Sequence, residues 1–182
     1  MPTNRRAPAA LVPVLVLVLI LSMLAMLSAC GFRLRSATQT SLPFKTIYLH
    51  FPESSAIGVE LKRYIRASGS TEIVNDPNLA EAIVEIVQPE RKGRVVLSMN
   101  GAAQPVEYEL SYSFSFRVHD NQDRELLPAT SKTVTFDTPY NVALALAKET
   151  EITAIYVEMQ SEMVQYILRR LVALKPSAQT AH

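Results

Sequence analysis

A run of fourteen residues, Val106 to His119, constrains this chain more than any other stretch. Val106, Tyr108, Leu110, Tyr112, Phe114, Phe116 and Val118 alternate without a break with Glu107, Glu109, Ser111, Ser113, Ser115, Arg117 and His119. A period of two puts the apolar set on one face of a β-strand and the polar set on the other. At about 3.4 Å per residue the run extends about 48 Å, well beyond the usual strand of about 5–6 residues. Such a strand needs strand partners along its length and a cover for its aromatic face.

The rest of the chain offers both. Lys45 to Phe51 alternates, with Ile47, Leu49 and Phe51 against Thr46, Tyr48 and His50, and Pro52 closes it. A short strand near Ile73-Val74 precedes the turn Asn75-Asp76-Pro77-Asn78. Residues 82–88 and 94–99 read as strands around a charged turn or bulge at 89–93, and Asn100-Gly101 is the strongest short hairpin signal. The turn at 119–123 leads to a further strand, roughly 130–136. Two helices complete the inventory. Ser54 or Ser55 can cap the first, whose stripe is Ile57, Leu61, Tyr64 and Ile65, whose wet side is Lys62, Arg63 and Arg66, and whose left-handed stop is Gly69. The second follows Asp137-Thr138-Pro139-Tyr140-Asn141 and runs over 142–174, about 50 Å at 1.5 Å per residue. Its apolar face is Leu144, Ile152, Ile155, Met159, Met163, Ile167, Leu171 and Leu174, and Pro176 stops it. The expected fold class is α+β: a two-layer sandwich of a mixed, mostly antiparallel sheet of about four strands with both helices on its aromatic face. The domain spans 45–175, and 176–182 form a disordered tail.

The chain has a single cysteine, Cys30. Ahead of it stand Arg5 and Arg6 and an apolar stretch, 7–29, broken only by Pro8, Pro13, Ser22 and Ser28. A basic start, an apolar middle and small residues at the end make a secretory signal over 1–29. Retention of 11–29 as a transmembrane helix is the competing reading on length, and Arg33 and Arg35 match Arg5 and Arg6, so flanking charge does not decide between them. Leu27-Ser28-Ala29-Cys30, followed by Gly31, resembles a lipobox, the motif of bacterial lipoproteins. That resemblance implies diacylglycerol on the Cys30 thiol, cleavage before it and acylation of the new amine, several chains where one gives only marginal binding. Gly31 in place of Asp implies sorting to the outer membrane, facing the periplasm. Residues 30–44 are then the lipidated cysteine and a tether.

Removal of 1–29 leaves 153 residues, one domain's worth of chain. Loss of Arg5 and Arg6 from the 18 basic residues leaves 16 against 17 acidic ones, a net charge of −1. Bulk nucleic-acid binding, which needs a strongly basic face, is excluded. No second cysteine exists for a disulfide, so the fold rests on its core. His50, His119 and His182 have no metal-ligand spacing, and the histidines at 50 and 119 read as solvated surface. Among five glycines there is no phosphate loop, nucleophile elbow or His-Glu-x-x-His. Glu107 and Glu109 read as a soluble strand face rather than an acid pair. The expectation is therefore no enzyme, no cofactor and no metal site. Arg91, Lys92 and Arg94, with Lys62, Arg63, Arg66 and Lys148, are the basic groups able to hold phosphorylated head groups by charge-assisted bonds. The aromatic stripe of the long strand is either core or an acyl-chain groove.

Several short motifs, taken together, resemble the LptE (RlpB) family of lipopolysaccharide-assembly lipoproteins. They are Cys30-Gly31-Phe32-Arg33-Leu34-Arg35, the Asn100-Gly101 hairpin with Glu107-Tyr108-Glu109-Leu110, Ala143-Leu144-Ala145-Leu146-Ala147-Lys148-Glu149, and Ile167-Leu168-Arg169-Arg170-Leu171. The resemblance implies a lipoprotein that plugs the outer-membrane barrel LptD one-to-one, assists its assembly and takes part in lipopolysaccharide delivery. It further implies a lipopolysaccharide contact at Lys148. The second basic position of the family, before the Asn-Gly turn, is Met99 here, so Arg91, Lys92 or Arg94 can substitute only if the fold brings them to the same tip. The polar face of the long strand suits contact with a barrel wall, with Asn100, Ser111 and Ser113 as contact candidates. A stand-alone lipid-binding lipoprotein of another envelope transport system is the alternative.

Overall fold

A computed structural model describes residues 41–174. The signal segment, Cys30, the tether up to residue 40 and the tail from residue 175 lie outside the described residues. The elements are β1 (Thr46–His50), α1 (Ala56–Ser68), β2 (Glu72–Ile73), β3 (Ala82–Met99), β4 (Pro105–His119), β5 (Glu125–Pro139) and α2 (Ala145–Ala173). They form one five-stranded sheet in the order β2-β1-β3-β4-β5. β1 runs parallel to both neighbours, while β3, β4 and β5 form an antiparallel meander.

The α+β class, the mixed sheet and the two helices stand as expected; the strand count is five rather than about four. β3 is one strand of 18 residues where the sequence suggests two. Its register against β4 shifts between Ile86 and Gln88 and again between Gln88 and Arg91. Those bulges absorb Pro89, which has no N–H for a ladder, without ending the strand. β5 starts at Glu125, ahead of the expected residue 130, and includes Pro128, which an edge strand tolerates. The hairpin after β3 is present, but its left-handed residue is Ala103 (φ 55) rather than Gly101. Asn100 Oδ1 accepts the amides of Ala102 (2.9 Å) and Gln104 (3.0 Å), so the asparagine organises a longer loop than a two-residue Asn-Gly turn.

The long strand behaves as its alternation requires. Leu110, Tyr112, Phe114, Phe116 and Val118 are buried, and they share one cluster with Ile152, Ile155, Met159, Met163, Ile167 and Leu171 of α2. Ile57, Leu61 and Ile65 of α1 join from the same side. Ser55 caps α1 by accepting the Gly58 amide at 2.9 Å, and Gly69 ends it at φ 65. The helices are tied by Glu60, which accepts from Gln160 Nε2 (2.7 Å) and Ser161 Oγ (2.9 Å). Two expectations change at the edges. Leu42 and Phe44, read from sequence as tether, are buried in the core, because both side chains join the same apolar cluster as Ile47 and Leu49 of β1. Leu144, expected on the buried stripe, is 57% exposed, because residues Val142–Leu144 form a 3₁₀ turn out of phase with the helix. Among the described residues no helix is long and apolar enough to cross a membrane.

The two faces of β4 make a direct test. Phe114→Ala removes a side chain 2% exposed and should cost about 3–5 kcal/mol, measured by denaturant unfolding. Ser113→Ala, on the opposite face, should be near neutral; equal effects would contradict the face assignment.

Candidate functional site

The bulged middle of β3 distributes the basic set over two faces. Arg91 pairs with Ser113 and lies on the open face of the sheet, away from the helices. Lys92, opposite Tyr112, lies on the helix side, its Nζ 5.4 Å from the Tyr112 ring centre and 5.2 Å from that of Tyr156. Tyr156 donates its hydroxyl to the Gly93 carbonyl at 2.6 Å, which fixes α2 to the strand beside this cation. Arg94 also lies on the helix side. It holds Glu149 of α2 with two bonds of 2.9 and 2.7 Å and sits 5.1 Å from the Tyr108 ring centre. The hydrogen bond to Glu149 raises the Arg94 pKa above its ordinary value, and the same bond holds the Glu149 carboxyl below its own. Lys148, the helical neighbour of Glu149, is 19% exposed and bonded to Glu151 at 2.7 Å.

Arg94 and Lys148 are thus each held by a carboxylate at the start of α2, while Arg91 does not join them. Around that end the apolar side chains Met99, Phe136, Leu144 and Leu146 are exposed, at 60, 46, 57 and 85%. Sequence reasoning missed the residues that orient these cations: Tyr108, Tyr156, Glu149 and Glu151. Only Glu151 carried a local signal, three residues after Lys148 on a helix.

Glu90 points inward from the bulge. It accepts the Ser55 hydroxyl, the Ile57 amide (3.2 Å) and the Tyr112 hydroxyl (2.5 Å), bridging the start of α1 to the centre of β4. Ser55, Glu90 and Tyr112, with Pro52, Ile86 and Lys92, line a cavity of about 280 Å³. Along the aromatic row Tyr112, Phe114 and Phe116 lie at 0, 2 and 0% exposure in one cluster with α2, so the row is core rather than an open groove. An acyl-chain groove there is excluded.

The open face carries hydroxyls in cross-strand rows: Ser111 with Thr135, Ser113 with Thr133, Ser115 with Ser131. Ser111 and Ser113, the expected contact residues, lie in its centre, and Asn100 lies at the hairpin tip. At the far end Glu85 bonds Arg117 at 2.6 Å, with His50 at 3.6 Å and His119 at 3.8 Å. His119 is 14% exposed and also faces Asp123 at 3.3 Å, so it is an enclosed side chain rather than the solvated one expected from its strand position. Among the described residues no group of three potential ligands could hold a metal ion.

The lipopolysaccharide-assembly family LptE matches residues 44–171. Among solved structures, the chain is 33% identical to an uncharacterized lipoprotein B from Nitrosomonas europaea, with a TM-score of 0.67 over 79% of this chain and 91% of that one. The fold also matches the rare lipoprotein B from Shewanella oneidensis (22% identity, TM-score 0.60, 68% of this chain and 91% of that one). A minor lipoprotein from Acinetobacter baumannii shares it as well (19%, 0.58, 75% and 98%). No curated protein sequence matches the chain significantly.

The Tyr112–Glu90 bond has a pH signature. Burial, then the bond to Glu90, pushes the Tyr112 pKa up from its ordinary 10. The folded chain therefore keeps a proton that the unfolded chain releases from about pH 10 upward, so this contribution to stability is intact below pH 10 and is lost as pH rises above it. Unfolding followed between pH 9 and 12 should show the decline, and Tyr112→Phe should flatten it; an equal slope in both proteins would refute the assignment.

Proposed function

The chain belongs to the LptE family of lipopolysaccharide-assembly proteins, and we propose that it acts as a lipid-anchored plug and assembly partner of an LptD-like outer-membrane barrel. In this reading Cys30 is acylated, the segment after it tethers the domain on the periplasmic side of the outer membrane, and the complex is one-to-one. The carrying observation is the open sheet face. Three strands of 15 to 18 residues carry the helices on one side, and on the other β4 and β5 present rows of small hydroxyls. The lumen of a wide barrel is polar and wet and is commonly filled by a plug, and short hydroxyls can hydrogen-bond such a wall without blocking entry. The stand-alone lipid-binding alternative loses its groove, because α2 covers the aromatic row.

Lipopolysaccharide contact falls, in this reading, to Lys148 and Arg94, with Lys92 behind them. Their positive charge suits lipid A phosphates, and the exposed Leu144, Leu146 and Phe136 beside them suit acyl chains. Arg91 faces the other way and is assigned to the partner rather than to the lipid.

Two experiments test this. Co-purification from detergent-solubilised membranes should return a barrel of LptD type, and photocrosslinkers at positions 100, 111 and 113 should reach it; adducts with soluble periplasmic proteins alone would overturn the plug. Cys30→Ala should leave the protein uncleaved or release it from the outer-membrane fraction. For the lipid, Lys148→Glu with Arg94→Gln should weaken lipopolysaccharide binding in a salt-dependent way without unfolding the domain. Unchanged binding would reduce these cations to surface charge.

A further inference from the structure

The open face carries charges that the fold does not use. The Arg91 side chain makes no ion pair or hydrogen bond with any described residue. Around it Gln88, Pro89, Ser113, Ser131 and Thr133 line a depression of about 460 Å³. All of them are neutral, and four offer a side-chain hydrogen-bonding group. A guanidinium fork in a hydroxyl-lined depression is a receptor for a planar anion, above all a carboxylate. Four residues along β4 from Ser113, Glu109 lies directly across from Asp137 of β5. Like charges at opposed strand positions destabilise a sheet, and neither carboxylate is bonded to a cation among the described residues. The row between them, Gly93, Ser111 and Thr135, is uncharged. It is also low: a Cβ at Gly93 would stand 2.5 Å from Ser111 Oγ.

Rows of hydroxyls repeat every second residue, so a polar wall laid against them can slip by about 6.8 Å and find equivalent bonds. Charges remove that freedom. The Arg91 row and the Glu109 row are about 14 Å apart along the strand, one positive mark and one negative mark with an uncharged row between them. We propose that these two marks set the docking register of the open face. The occupant is a polar wall that presents a carboxylate to Arg91 and an ammonium or guanidinium to Glu109 and Asp137. This rests on the reading that the open face meets the inner wall of the barrel, and it adds what fixes the depth of insertion.

The test uses the full-length chain co-expressed with the barrel and recovered from detergent-solubilised membranes, with a photocrosslinker at position 111. Arg91→Glu and Glu109→Lys should each lower barrel recovery about tenfold at low salt, with the crosslinked wall peptide displaced along the strand direction. In the free chain Arg91→Glu should leave the unfolding temperature unchanged. Glu109→Lys should raise it, because a repulsive pair with Asp137 becomes an attractive one. A residue with a purely structural role cannot move stability up and complex recovery down together. Wild-type recovery with the same crosslinked peptide in both variants overturns the register while leaving the plug intact; so does a joint fall of stability and recovery in Glu109→Lys. Failure of the unaltered chain to recover any barrel overturns the plug and the register with it.

Discussion

The one-sided burial of β4 is the constraint on which the domain depends. Its inward row from Leu110 to Val118 is enclosed beneath the helices, and its outward row faces away from them, partly open from Glu107 to Ser113 and closed at Ser115. A strand with period-two alternation has no freedom in this: a slip of one residue would exchange the aromatic row for serines and glutamates. Once that register is set, α2 must lie along the aromatic row, and α1 must fill the rest of that layer against β1 and the first half of β3. The carboxylate of Glu60 marks how tightly the helices meet, since it is almost wholly buried and accepts from both Gln160 and Ser161. A charge enclosed to that degree survives only with such donors.

The bulge at Pro89 decides what each face can do. Consecutive residues of a regular strand alternate, and the register shifts on either side of Gln88 reset that alternation. The result sends Glu90 inward to Ser55, Ile57 and Tyr112, Arg91 outward to the hydroxyl depression, and Lys92 inward over two tyrosine rings. Three adjacent charged residues therefore have three different surroundings. On sequence alone they read as one charged turn or bulge.

This marks the boundary of what the sequence discloses. The faces of β4, the caps of α1 at Ser55 and Gly69 and the inward stripe of α2 are local patterns, and each is legible because one period governs it. The continuity of β3 through a proline is not, because whether Pro89 ends a strand or bulges it depends on the register of a partner far away in the chain. Leu42 and Phe44 lie in a Ser/Thr/Gln-rich stretch too short to show a period, so their burial is a tertiary fact. The same holds for the site. Lys148 and Arg94 could be picked by charge, but the hold of Arg94 on α2 follows from helix–sheet packing, and the approach of Glu85 to His119 from strand pairing. Side-chain chemistry was visible; adjacency was not.

The partners that the structure gives these cations bear on what they can bind. Arg94 holds Glu149, and Lys148 holds Glu151, in ion pairs whose carboxylates are about half exposed. Exposed pairs of this kind contribute little to stability. The aromatic rings under Arg94 and Lys92 act differently, because they fix the position of each cation without neutralising it. A phosphate arriving at the start of α2 would therefore meet cations already oriented and need only displace half-exposed carboxylates. On the proposed reading, Glu149 and Glu151 hold the place of the lipid A phosphates while the site is empty. They keep Arg94 and Lys148 soluble and aimed, and they leave at small cost. Arg91 has no such placeholder, which fits a contact made once, on assembly, rather than with each passing lipid.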